Sequence, residues 1–205
     1  RIQPKTLRSS SGATTPTTCQ LRARRQVSAE QRETEPTESA RQHLERLGQS
    51  GKFLFHGTPT RDITEFEPRQ AHNYDHTTGK NIPDGAPAVF AADRPDVAIF
   101  MALVNRTNSI DDTNGWSGSG IRTENGVRTA EFRATKNLID GARLPSARGI
   151  VYVFDRESFE PRSPNGSEWS SLKPVSPIES ITVRSTDFPE AITEIATEPP
   201  EPSRQ

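Results

Sequence analysis

The sequence predicts an α+β domain: a core of short strands with few helices and long polar loops. Three observations lead there. Apolar runs near residues 53–55, 88–92 and 149–155 are too short for helices and end at turn residues, the pattern of buried strands. Helical spacing of apolar residues is confined to residues 37–47 and to the stretch following Asp93. There is no alternating strand–helix series and no Gly-rich phosphate loop, which argues against a Rossmann domain and a P-loop.

Composition sets the outer limits. Of 205 residues, 30% are hydrophobic and 26% charged, with 17 prolines. That apolar share is low for the length, so part of the chain is expected to stay unfolded. The expected boundaries are a disordered segment over 1–35, a folded domain over 36–193 and a disordered tail over 194–205. A formal net charge of -1 gives no electrostatic case for nucleic acid or an anionic membrane. The single cysteine, Cys19, excludes an internal disulfide and a cysteine metal cluster, and agrees with a reducing compartment. No apolar run approaches membrane-spanning length. The sequence opens on Arg1, which reads as a fragment or a processed product; cytoplasmic residence and secretion both stay open.

The elements follow in order. Residues 1–35 are rich in Ser, Thr, Arg and Pro; Arg22, Arg24 and Arg25 are followed by Glu30, Glu33 and Glu35, the pattern of a solvated linker. Thr37 is placed to cap a helix reaching Leu47, stopped by Gly48, with Ala40, Leu44 and Leu47 on one narrow stripe. Phe53, Leu54 and Phe55 form a buried strand that stops at His56, Gly57, Thr58 and Pro59. Ile63 and Phe66 then read as a buried pair, on a short strand or a turn of helix. Residues 69–87 are polar and turn-rich, a flexible loop able to cover a pocket. His72, Tyr74 and His76 lie within it but lack the spacing and fourth ligand of a metal site.

The second strand covers 88–92. Asp93 stands where an N-cap belongs, and Pro95 suits a first helical turn. Val97, Phe100, Met101 and Val104 recur at amphipathic helical spacing. Residues 107–120 read as a long loop. The strands 121–123 and 127–134 flank Asn125-Gly126, a hairpin signal. Residues 149–155 are apolar enough for a central strand. A turn-rich interval leads to Glu168 and Trp169, and an extended approach from Pro174 leads to a last strand over 180–184.

From the residues alone, His56 and Gly57 admit two readings: a strand-end histidine before a turn, or a nucleotide site where glycine lets a ligand approach the backbone. A resemblance bears on the choice. The aromatic strand ending in His56-Gly57-Thr58 resembles the first motif of the poly(ADP-ribose) polymerase, or diphtheria-toxin-like, branch of the ADP-ribosyltransferase superfamily. Val89-Phe90-Ala91, continuing through Asp96 to Phe100, resembles the second motif, in which a Tyr-Phe-Ala strand end leads into a helix carrying another Tyr. Glu168-Trp169, running on to Ile181 and Val183, resembles the third. The motifs stand in the family's order and span residues 53–183.

The resemblance implies an ADP-ribosyltransferase-like fold, with a short-stranded split β-sheet core, and a reaction on NAD as substrate. The nicotinamide–ribose bond is cleaved and ADP-ribose passes to a macromolecular acceptor, expected to be a protein. Glu168 is then the catalytic carboxylate, stabilising the oxocarbenium-like charge that develops on the ribose. His56, Gly57, Thr58, Phe90 and Phe100 form the NAD site: His56 hydrogen-bonds the adenosine ribose, the Gly57 backbone holds the nicotinamide amide, and Phe100 stacks on the ring. No metal is required. Three positions depart from the family pattern. Val89 replaces a Tyr, Val97 a carboxamide-binding Ser, and Phe100 keeps a stacking face without the hydroxyl. The alternatives are an NAD glycohydrolase and a non-catalytic module on the same fold binding ADP-ribose or protein. An RNA phosphotransferase with a similar His-Gly-Thr motif would want a more basic surface. Read without the motifs, Phe100 is equally a core aromatic and Glu168 an exposed turn carboxylate.

Overall fold

In chain order the described part of the molecule begins with α1 (Ala40–Gln49), β1 (Phe53–Thr58), β2 (His72–Asp75), β3 (Lys80–Pro83) and β4 (Val89–Ala92). Next come α2 (Pro95–Leu103), β5 (Ser117–Glu124), β6 (Val127–Thr135) and α3 (Lys136–Arg143). It closes with β7 (Arg148–Asp155), β8 (Glu160–Pro161), β9 (Glu168–Ser171), β10 (Glu179–Arg184) and β11 (Thr193–Ile195). The computed structural model describes residues 38–75, 77–111, 115–163, 166–188 and 191–196. The segment expected to be disordered over 1–35, the tail from 197 onward, Thr37 and His76 lie outside those residues. The class is α+β, with mostly antiparallel sheets.

Helix α1 is capped by Ser39, two residues after the expected cap. Ser39 accepts from the Gln42 N–H at 3.1 Å, and the Gln42 side chain accepts from the Ser39 N–H at 2.9 Å, a reciprocal capping box. It runs one residue past Gly48, and the Ser50 hydroxyl donates to the Leu47 carbonyl. Leu44 is its buried anchor.

The main sheet has six strands in the order β10-β7-β1-β4-β9-β8. Strand β7 lies inside it, buried from Gly149 to Phe154, as its apolar run predicts. Helix α2 lies on β1 and β7, and two glycines let it. A Cβ on Gly57 would sit 1.8 Å from the Ala98 carbonyl oxygen, and one on Gly149 would sit 2.2 Å from that of Ala102. Phe55 and Val151 fill the same layer, whereas Leu54, Tyr152 and Phe154 point to a second core on the opposite face.

Helix α2 corrects the amphipathic expectation. Val97, Ala98, Ile99, Phe100, Ala102 and Leu103 are all buried, and only Met101 is substantially open, at 36%. The helix packs on the main sheet with one face and meets α1 and β6 with others, so little of it reaches water. Its cap also differs from expectation. Arg94 is the N-cap residue, without a side-chain cap bond. Asp93 accepts instead from Arg128 Nη1 at 3.2 Å, and the Val97 N–H is satisfied by Asp96.

The second sheet has the order β11-β6-β5. Its hairpin turns at Asn125 and Gly126, at φ 51° and 78°, the left-handed pair that a type I′ turn requires. Ser119, Ile121 and Thr123 face Phe132, Ala130 and Arg128 across this ladder. Among the contacts that tie the sheet to the rest of the fold, Phe132 stacks on Phe100, with centroids 4.8 Å apart, Arg128 reaches Asp93, and Arg94 donates to the Arg128 carbonyl.

Four expectations need correction. Residues 69–87 contain the hairpin β2–β3 in place of a structureless loop. The loop expected over 107–120 ends early, because Ser117–Gly120 already pair with β6. Helix α3 was not foreseen; Leu138, Ile139 and Ala142 are buried on it. The expected tail begins inside β11, where Glu194 and Ile195 pair in parallel with Ala134 and Thr135. Backbone pairing of this kind asks little of the side chains, so a Glu- and Pro-rich composition does not reveal it. Among the described residues, no helix is long and apolar enough to cross a membrane.

A candidate active site where two strands part

Strands β1 and β7 pair along the whole of β1, from Phe53 with Asp155 to Thr58 with Ile150. Pairing of β1 with β4 is confined to Phe55 and Ala92. The two strands therefore diverge just before His56, and the imidazole spans the gap. His56 Nδ1–H donates to the Phe90 carbonyl at 2.7 Å. A carbonyl can only accept, so Nδ1 carries the proton and Nε2 is left as an acceptor, with no partner among the described residues. Burial pushes the His56 pKa below its ordinary value, opposed by the bond to Phe90, so the ring is neutral near pH 7.

A cleft of about 900 Å³ opens at this point. His56 and Gly57 of β1 line it, as do Phe90 and Ala92 of β4 and Val97 and Met101 of α2. Ser119, Ile121 and Thr123 of β5 close one side, and Ser163, Ser167 and Glu168 another. A smaller cleft of about 360 Å³ lies against it, lined by Thr58, Ile63, Phe66 and Val89. His56 and Phe90 belong to both. Phe66 meets the His56 ring edge-on at 5.0 Å, so the imidazole is held from the side as well. The segment after β1 is pinned by the Tyr152 hydroxyl, which accepts from the Ile63 N–H and donates to the Thr60 carbonyl.

Of the residues singled out in the sequence, His56, Gly57, Phe90 and Glu168 meet on the larger cleft. Thr58 lies on the smaller one, where its hydroxyl accepts from the Thr60 N–H. Phe100 is a correction. Its ring is fully buried against Phe132, so it is a core aromatic and offers no face to the cleft. The neighbouring turn supplies Val97 and Met101 there in its place. Gly57 also acquires a second reason to be glycine, because α2 occupies the space of its missing side chain.

Glu168 opens β9 and pairs with Ala92, at the end of β4. Sequence reasoning missed its partner. Arg162 Nη1 donates to Glu168 Oε2 at 2.7 Å, and the Arg162 N–H donates to the Glu168 carbonyl at 3.0 Å. The same guanidinium grips both oxygens of Asp84, at 2.9 Å each, and lies over the Phe90 ring at 5.1 Å. Asp84 holds the Arg162 pKa above its ordinary value, with Glu168 adding to it, and Arg162 in turn holds Asp84 below the usual carboxylate range. No run or spacing in the sequence marks Arg162; the only local signal is its position six residues before Glu168.

Among the described residues, no group of three His, Cys, Asp or Glu side chains is arranged to hold a metal ion. Compared with family models, curated proteins and solved structures, the chain matches none.

Proposed function

We propose that the chain is an NAD-dependent ADP-ribosyltransferase, with an ADP-ribosyltransferase-like fold, that passes ADP-ribose to a protein acceptor. One observation carries the reading: a neutral histidine with a bare Nε2 forms the wall between two clefts, one holding Glu168 and the other Thr58. A dinucleotide has two ribose-bearing halves, and two adjoining clefts offer room for both. Nε2 accepts a ribose hydroxyl, and the Thr58 hydroxyl adds a second polar contact on its side. Glu168 supplies negative charge where the nicotinamide ribose becomes oxocarbenium-like, so it acts chiefly in the transition state. Phe90 contributes an apolar surface shared by the two clefts.

The test is NAD turnover and NAD affinity measured in parallel for the parent, Glu168→Gln and His56→Ala, with folding checked in each. Glu168→Gln is expected to keep most of the affinity and lose turnover by roughly a hundred- to a thousandfold. His56→Ala is expected to weaken binding more than the chemical step. Undiminished turnover in Glu168→Gln would remove Glu168 from the reaction.

A second reading, a non-catalytic module that binds ADP-ribose, is favoured by the burial of Phe100, which leaves the cleft without the expected stacking ring. A parent that binds NAD and never consumes it decides for that reading. Mass analysis of a modified acceptor separates transfer from plain NAD hydrolysis.

A further inference from the structure

We infer that Arg162 is a positioning residue for Glu168, itself oriented by Asp84, so that the working unit is an Asp84–Arg162–Glu168 relay. The inference rests on the proposed reaction and extends it to two residues that no motif contains. The geometry is specific. Arg162 Nη1 is shared between Glu168 Oε2 at 2.7 Å and Asp84 Oδ2 at 2.9 Å, while Nη2 takes Asp84 Oδ1. Asp84 thus fixes the plane of the guanidinium from two points, and a planar fork fixed at one edge presents its remaining donors in one direction only. The Phe90 ring below, at 5.1 Å, limits tilting out of that plane.

The backbone supports the same placement. Pro161 pairs with Trp169, so the next residues, Arg162 and Glu168, stand opposite one another at the end of the ladder, and the Arg162 N–H bonds the Glu168 carbonyl. The side chain of Glu168 is 54% exposed, and such a carboxylate left to itself samples several rotamers. A catalytic carboxylate needs one geometry, held within a fraction of an ångström. One oxygen, Oε2, is committed to Arg162; no hydrogen bond to Oε1 is found among the described residues. Oε1 is therefore the atom assigned to the substrate ribose. Asp84 follows directly on β3, so the relay also connects the β2–β3 hairpin to the site.

The experiment has two arms. In the first, steady-state NAD turnover is measured for the parent, Arg162→Gln, Arg162→Lys, Asp84→Asn, Glu168→Gln and the double variant Arg162→Gln/Glu168→Gln. A positioning role lowers kcat roughly ten- to a hundredfold in Arg162→Gln, with KM within about twofold. Arg162→Lys recovers part of the loss, Asp84→Asn gives a smaller loss of the same kind, and Arg162→Gln adds nothing once Glu168 is Gln. A rise in KM with kcat unchanged, or a loss that adds fully to that of Glu168→Gln, overturns the inference.

The second arm needs no turnover. Carboxyl carbon NMR of protein labelled at glutamate identifies the Glu168 signal by its absence in Glu168→Gln. That signal is expected to move in Arg162→Gln and, less far, in Asp84→Asn. A signal indifferent to both variants overturns the relay even if NAD is consumed. A parent that consumes no NAD while the signal responds overturns the proposed reaction and leaves the orientation of Glu168 by Arg162 standing.

Discussion

Phe100 shows how far a single side chain can be read from its neighbours. Buried and stacked on Phe132, it joins the second sheet to α2, so Phe100→Ala is expected to cost about 3–5 kcal/mol in denaturant unfolding. Phe100→Tyr brings a hydroxyl into that apolar contact and is expected to destabilise by about 1–3 kcal/mol, without tightening NAD binding. Tighter binding in the Tyr variant would mean that the ring reaches the cleft after all. His56 makes a different prediction, through pH. Its folded pKa lies below the unfolded value of about 6.5, so between the two values the unfolded chain binds the extra proton. Stability is full above about pH 6.5 and is lost as the pH falls toward the folded value. The drop in thermal midpoint between about pH 7.5 and 5.5 should be smaller in His56→Asn than in the parent, since an amide does not titrate. Equal drops would show that another group sets the acid sensitivity. His56, Gly57, Phe90 and Glu168 were singled out through the motifs they resemble, and the strands that carry them, β1, β4 and β9, are neighbours in the main sheet. Phe100 was misjudged because helical spacing marks a packed face without saying which layer packs on it. Arg162 was invisible because Asp84, its strongest partner, lies 78 residues away.

For the elements, two glycines under α2, Gly57 and Gly149, decide how closely the helix seats on the main sheet. Gly57→Ala would place a methyl group 1.8 Å from the Ala98 carbonyl oxygen, a backbone atom that no rotamer change can move. The helix must lift, at an expected cost of about 3 kcal/mol or more, with loss of ligand binding in the adjoining cleft. Gly120→Ala is the control: it also lines the cleft, but a Cβ there meets nothing within 4 Å, so stability should change by no more than about 0.5 kcal/mol. A Gly57→Ala variant as stable as the Gly120→Ala variant would show that α2 is not seated on β1 in this way. The strands β1, β4 and β7 were legible because each carries a continuous apolar run, β10 because Ile181 and Val183 alternate with polar residues, and the β5–β6 hairpin because Asn125-Gly126 dictates its turn. The strands β2 and β3 were not, because they pair with each other on a polar surface, with β3 exposed throughout. Helix α3 was hidden by its eight-residue length and by Gly141, which it needs because a Cβ there would meet the Asn108 carbonyl oxygen.

At the scale of the whole molecule, α1, the six-stranded sheet and the β11-β6-β5 sheet all converge on α2, which explains why a nine-residue helix is buried on nearly every side. The register of β1 carries a consequence for how the chain reaches this state. Phe53 pairs with Asp155 and Thr58 with Ile150, so the first strand meets its continuous partner only after most of the domain has been synthesised. The β5–β6 hairpin, closed between Glu124 and Val127, needs no such wait. Loop-closure entropy therefore orders the events, local hairpin first and β1 with β7 late, and a topology this non-local folds on roughly the millisecond-to-second scale. Pulse-labelled hydrogen exchange during refolding should protect amides of β5 and β6 before those of β1. On the ribosome, the Phe53–Phe55 edge stays unpaired on its β7 side until residue 155 has emerged. A nascent chain arrested near residue 147 is expected to bind chaperones or aggregate, and one released after residue 196 is not; a soluble, protease-resistant monomer ending at 147 would show that β1 finds its place without β7.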